Sequence, residues 1–137
     1  MQSQKVILML DSVRRLIRRG ATQRAMNVLH KGRPADVAQV LHGLNELDRH
    51  AVFSALSQQD RELAAASLSE LGVEEGIELL KVLSPEDIAQ VLQELPSDDA
   101  ALFLEKFPED IKERLLDLMK IEASTDVQEL LSFKEYT

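Results

Sequence analysis

A repeat of twelve residues constrains the fold of this chain more than any other feature of its sequence. Three consecutive blocks read SPEDIAQVLQEL (84–95), PSDDAALFLEKF (96–107) and PEDIKERLLDLM (108–119). Each block opens with residues that start helices and closes on a large apolar residue. The same rhythm extends upstream through 72–83, a fifteen-residue block at 57–71, a block at 45–56 and a shorter unit at 34–44. The array therefore occupies most of the chain.

Such a repeat does not fit one long helix. At about 3.6 residues per turn, twelve residues rotate an apolar stripe by roughly a third of a circle, so a continuous helix would spread that stripe over all its faces. Pro85, Pro96 and Pro108 mark the breaks, as first-turn residues or as stops to the preceding helix. Within a block the apolar spacing is helical, as for Ile88 and Leu92. Short helices are marginal alone, so the pattern predicts an all-α, solenoid-like stack.

The charge of the chain is divided between its two ends. Residues 1–33 carry eight Lys/Arg and one acid, a net charge of +7. Residues 34–137 carry a net charge of −15, which makes the whole chain −8. A first helix is predicted near 4–19, with Gly20 ending it, and a second helix is predicted at 22–31. The basic first helix could lie on anionic lipid or nucleic acid, but it has no interleaved aromatic residue. A solvated face, or pairing with the acidic half, is therefore favoured, and the acidic array argues against nucleic-acid binding.

No arrangement of side chains predicts an enzyme. The chain has no cysteine, which fits a reducing compartment, and no apolar run long enough to span a bilayer. None of its three histidines (His30, His42 and His50) pairs at a metal-binding helical spacing. Ser84 and Ser97 precede acids rather than a base, which predicts helix capping instead of nucleophilic catalysis. The sequence therefore predicts a soluble, cytoplasmic, non-catalytic domain.

Carboxylates recur at the predicted helix starts. They are Asp36, Asp60, Glu62, Glu74, Glu75, Glu86, Asp87, Asp98, Asp99, Glu109 and Asp110. An acid in a first turn gains about 0.3 to 1 kcal/mol from the helix dipole and needs no other reason to be there. If the helices stack in register, however, these acids form a ridge with few counterions. Magnesium keeps several of its waters, so one or two acids per ion suffice, and bridging ions would turn repulsion of an acidic partner domain into attraction.

Several phrases resemble the cytoplasmic N-terminal domain of MgtE-type magnesium transporters. They are HKGRPADVAQVLHGL (30–44), LSPEDIAQVLQELPSDDAALFLEKF (83–107) and LLSFKEYT (130–137). The resemblance covers the chain from about Leu10 to Thr137 and is strongest over 84–107. It implies an all-α, right-handed superhelix of about ten short helices. We therefore expect the chain to consist of three segments: a basic helix pair at 1–32, the acidic array at 33–121, and a last helix and linker at 122–137.

The resemblance also implies a function and partners. In the family, a phrase like that at 130–137 leads into a pair of CBS domains, a connecting helix and a membrane pore. The N-terminal domain closes onto the CBS pair as intracellular Mg²⁺ rises and biases the pore shut. We therefore expect a regulatory domain at the cytoplasmic face of the cell membrane, within a homodimeric transporter. The basic first helix would rest on membrane, on a partner domain or in solvent.

Asp98, together with its neighbour Asp99, matches the family's acidic pair at an interdomain magnesium site. Two positions depart from the family pattern, because Leu102 and Ala66 stand where the family often carries further acids. The site is then weakened, moved toward Glu94 or Glu105, or absent.

A second hypothesis is a non-catalytic interaction scaffold. Flagellar-motor switch proteins use similar superhelical domains of short helices, and in that case the acids serve only as helix caps. CBS-type β-α units after Thr137 would support the transporter hypothesis, and a new helical domain would support the scaffold.

Overall fold

The computed structural model describes residues 3–119, which form nine helices and no strand. The chain divides into two compact units, Met1–Gly72 and Val73–Thr137. The predicted all-α class is confirmed. The right-handed winding and the segment boundaries at 32 and 121 stay predictions, and the predicted last helix at 122–137 lies outside the described residues. Within residues 3–119, none of the helices combines the length and the apolarity that crossing a bilayer requires.

The first unit contains five helices. They are α1 (Gln4–Arg18), α2 (Thr22–Leu29), α3 (Pro34–Gly43), α4 (Glu46–Gln59) and α5 (Arg61–Leu71). Helix α3 packs on α1, α4 and α5, while α2 packs on α1 and α4. Val13, Met26, Leu41, Phe53 and Leu68, one from each helix, are fully buried between them. Burial of these side chains, rather than the helix propensity of short segments, stabilises the unit.

The turn between α1 and α2 follows the predicted stop. Gly20 has a φ of +76°, in the left-handed region that glycine adopts without steric cost. Arg15 and Arg18 lie in the last turn of α1, where positive charge interacts favourably with the negative end of the helix dipole.

The boundary between α4 and α5 corrects the predicted block at 57–71. Ser57 does not begin a helix: its hydroxyl donates to the Ser54 carbonyl at 2.7 Å inside α4, which continues to Gln59. Asp60 begins α5 instead, because its carboxylate accepts from the Leu63 N–H at 3.1 Å. The apolar period therefore marked Leu56, a buried residue in the last turn of α4, three residues before the helix ends at Gln59.

Arg49 closes the C-terminus of α3 from the neighbouring helix α4. Its guanidinium donates to the carbonyls of Leu41 at 2.8 Å, Leu44 at 2.8 Å and His42 at 3.1 Å. The last carbonyls of a helix have no partner within it, so this side chain satisfies groups that would otherwise need water.

The second unit contains four described helices. They are α6 (Val73–Leu80), α7 (Pro85–Gln93), α8 (Ser97–Leu104) and α9 (Glu109–Leu118). Helix α7 packs on α8 and α9, and α6 packs on α8. The residues that close the twelve-residue blocks lie just beyond the helix ends, and all are buried: Leu83, Leu95, Phe107 and Met119. The repeat thus supplies one core side chain from each turn.

Helices α7, α8 and α9 start at the predicted proline breaks, but one of the two predicted serine caps is wrong. Ser84 caps α7 by accepting from the Asp87 N–H at 3.1 Å, and Pro85 is the first helical residue. Ser97 does not cap α8. The capping position is Pro96, with an extended ψ of 149°, and Ser97 is already helical. A proline at the cap position offers no side-chain acceptor, so α8 begins without one.

Candidate functional site

Asp98 and Asp99 are the second and third residues of α8. Asp98 is exposed and Asp99 is half-buried. The Oδ1 atom of Asp98 accepts from the backbone N–H of Asp99 at 3.1 Å. Phe103 and Leu104 of the same helix are buried and anchor α8 in the core. Two adjacent carboxylates are therefore held at the start of a packed helix, one of them exposed and the other half-buried.

The candidate ligands around this pair are few. Glu94 and Glu105 are exposed and lie at the C-terminal ends of α7 and α8. Leu102 is 41% exposed on α8, where it offers no oxygen ligand. Residues 3–119 contain no group of three or more Asp, Glu, His or Cys side chains placed to hold a metal ion. The α8 pair has suitable oxygen chemistry for Mg²⁺, whose remaining positions would be filled by water or by another domain.

Ala66, the other departure from the family pattern, lies half-buried in α5, within the first unit. Its methyl group supplies no metal ligand.

Several other helix-start acids of the second unit have cationic partners. Glu74 pairs with Lys106 at 3.2 Å, and Glu86 pairs with Arg114 at 3.2 Å. Glu109 pairs with Lys112 at 3.2 Å, within α9. The pairs are largely exposed, so each contributes at most about 1 kcal/mol. These acids do not form the counterion-poor ridge that the repeat suggested, because basic residues from later in the chain reach them.

Asp36 in the first unit is engaged as a cap. Its Oδ2 accepts from the Arg33 N–H at 3.0 Å and lies 3.4 Å from Lys5 Nζ. The Arg33 hydrogen bond, aided by Lys5 against partial burial, holds the pKa of Asp36 below its ordinary value. This acid therefore stabilises the start of α3.

His30 links α2 to the start of α5. Its Nδ1 lies 2.7 Å from the Met26 carbonyl and its Nε2 lies 2.9 Å from Asp60 Oδ2. Both ring nitrogens therefore have hydrogen-bond partners within the first unit.

Sequence reasoning missed the surface hollows. In the second unit, an apolar hollow of about 480 Å³ is lined by Leu83, Pro85, Ile88 and Phe107, among others. In the first unit, two smaller hollows lie between α1 and α2 and are bordered by basic residues. The spacing of Ser12, Arg15 and Arg19 on one side of α1 was the available signal, but only the packing of α2 makes that side concave.

The described residues thus define an all-α domain of short helices in which acidic residues recur at helix starts. Residues 32–136 match the family described as the MgtE intracellular N domain, and because this match covers most of the chain, the chain belongs to that family. The resemblance found from the repeat phrases is confirmed.

The fold has a solved counterpart. The chain is similar to a crystal structure described as the soluble part of a magnesium transporter, with a TM-score of 0.78 and 19% identity. The similarity covers 92% of this chain and 49% of that one, so the chain spans about half the length of its structural relative. At this identity the likeness shows the fold alone. Comparison with curated protein sequences gives no match.

Proposed function

We propose that this chain is the cytoplasmic regulatory domain of a magnesium transporter and that it senses intracellular Mg²⁺ through Asp98 and Asp99. The ion would bind where α8 meets another domain of the same polypeptide, a CBS domain pair, and its binding would bias the pore toward closure. The family membership of residues 32–136 supports the transporter context. The role is regulatory rather than catalytic.

The observation that carries this proposal is the paired carboxylates at the start of α8. Hard divalent cations prefer carboxylate oxygens, and Mg²⁺ is usually held by one or two of them with several waters retained. Buried Phe103 fixes the helix, so the pair presents its charge in a defined place. With no third ligand grouped near it among the described residues, the pair suits an ion that a second domain also coordinates.

The mechanism follows from charge. Two like charges on α8 repel an acidic surface when the ion is scarce, and a bridging divalent cation converts this repulsion into attraction. The ion then favours the closed arrangement only to the extent that it binds that arrangement more tightly than the open one. Sensing therefore requires a low affinity in the isolated domain and a higher affinity in the closed protein.

The interaction scaffold remains a second candidate function, and a specific observation favours it. Glu74, Glu86 and Glu109 pair with basic residues, and Asp36 and Asp60 cap helices, so these five acids already have structural roles. If Asp98 and Asp99 also act only through the helix dipole, the domain holds its partners without responding to magnesium.

A substitution series in the full-length transporter distinguishes the two functions. The double variant Asp98→Asn and Asp99→Asn keeps the side-chain shape but removes the charge. The matched control is Glu109→Gln with Asp110→Asn, at the start of α9, which also follows a proline cap. We expect the α8 variant to require severalfold more internal Mg²⁺ to inhibit flux into liposomes, while the control behaves as the wild type. Equal inhibition in all three proteins would favour the scaffold.

A further inference from the structure

The surface between α1 and α2 forms a continuous groove. Two hollows of about 250 Å³ and about 270 Å³ adjoin each other and share Ser12 and Val28 as lining residues. Together they are named the basic groove here. It follows α1 from Lys5 to Arg19, a length of about 21 Å at 1.5 Å per residue.

Five cations border the basic groove: Lys5, Arg15, Arg19, Arg24 and Lys31. Lys5 pairs with Asp36 at 3.4 Å, and Arg15 pairs with exposed Asp11 at 3.2 Å. Within residues 3–119, the side chains of the other three form no ion pair. Uncompensated positive charge converging on a concavity favours an anionic occupant.

The groove is also apolar at one end. Leu8 is 58% exposed there and lies beside Met9 and Val28. An exposed leucine next to a hollow gains free energy when an apolar side chain covers it. A phosphate group would use the cations but would leave this end uncovered. No aromatic side chain lines the groove to stack a nucleic-acid base.

We propose that the basic groove docks an acidic amphipathic helix of a partner, with leucine-type side chains on the face that enters the groove. The length of the groove corresponds to about four helical turns. Its concavity fits a convex helix better than a flat lipid surface, and an apolar stripe flanked by acids complements Leu8 and the cations. The residues that line the groove belong to the first unit, whereas Asp98 and Asp99 belong to the second.

A synthetic peptide tests the proposal directly. The probe is a fluorescein-labelled helical peptide of about four turns, with leucines at i, i+3, i+4 and i+7 spacing and glutamates elsewhere. Its binding to the 137-residue chain is measured by anisotropy. The groove variant is Arg19→Glu with Arg24→Glu. The control is Arg18→Glu with Arg61→Glu, which changes the net charge equally at exposed residues that do not line the groove.

We expect the groove variant to weaken peptide binding by about tenfold and the control variant to weaken it far less. Leu8→Ser should weaken binding at high salt as well, because its contribution is apolar. Equal weakening by both charge variants would overturn the proposal, since it would reduce the effect to net charge. The proposal is also overturned if vesicles of phosphatidylglycerol compete with the peptide more strongly than unlabelled peptide does.

Discussion

Arg49 allows the tertiary capping of α3 to be tested quantitatively. The substitution Arg49→Met keeps the length and apolar character of the side-chain stem but removes three hydrogen bonds to the carbonyls of Leu41, His42 and Leu44. A hydrogen bond contributes about 1 kcal/mol net, and more when one partner is charged. Because the bond to His42 lies at the surface, water replaces it. The two partly buried bonds together give an expected destabilisation of about 2 kcal/mol.

The assay is urea unfolding of the 137-residue chain followed by far-UV circular dichroism. Arg49→Lys can restore one bond, so it should cost about 1 kcal/mol. Arg61→Met, at the exposed first residue of α5, is the control and should stay within about 0.5 kcal/mol of the wild type. A cost for Arg49→Met as small as that of the control would show that water satisfies the α3 carbonyls, and would refute the capping role.

Three further substitutions test local features of the fold, each by the same unfolding measurement. Gly72 has φ +88° and ψ 167° with open space around it, so Gly72→Ala should cost about 1 to 3 kcal/mol through backbone strain alone; no loss would show that the turn relaxes freely. The buried Ser67 hydroxyl has no hydrogen-bond partner within the described residues, so Ser67→Ala should be neutral or stabilising, and a clear loss would indicate a missing partner. The pKa of Asp36 is lowered on folding, so its contribution is fully present above the ordinary aspartate pKa and is lost as the pH falls from there through the lowered pKa of the folded state. The stability deficit of Asp36→Asn should therefore shrink on acidification, and a deficit that is constant with pH would contradict the charge-based role.

The sequence predicted those parts of the fold that depend on local chemistry. Pro85, Pro96 and Pro108 restrict the backbone wherever they occur, so the starts of α7, α8 and α9 were readable from the repeat. The block boundary at Ser57 did not coincide with the start of α5, although Asp60 was among the acids expected at helix starts. Asp60 and Ser57 are both plausible caps, and the choice between them depends on how far the buried face of α4 extends.

The features that sequence reasoning missed are tertiary. Arg49 reaches carbonyls on the preceding helix, and the basic groove exists only because α2 packs along α1. The acids that the sequence assigned to helix starts do lie there, but Lys106, the partner of Glu74, and Arg114, the partner of Glu86, lie about thirty residues away from them. Charge patterns alone therefore overestimated how much negative charge is left uncompensated. Asp98 and Asp99 remain a prediction as magnesium ligands, since their role depends on a second domain.

The most direct test of the central claim is a magnesium titration of the full-length protein that contains this domain, followed by limited proteolysis at 124–137. The account predicts protection that appears at millimolar Mg²⁺, is absent at matched ionic strength in sodium chloride, and is lost in the Asp98→Asn and Asp99→Asn double variant. Cleavage that is equal with and without magnesium, or protection that survives the double variant, would contradict magnesium sensing at α8.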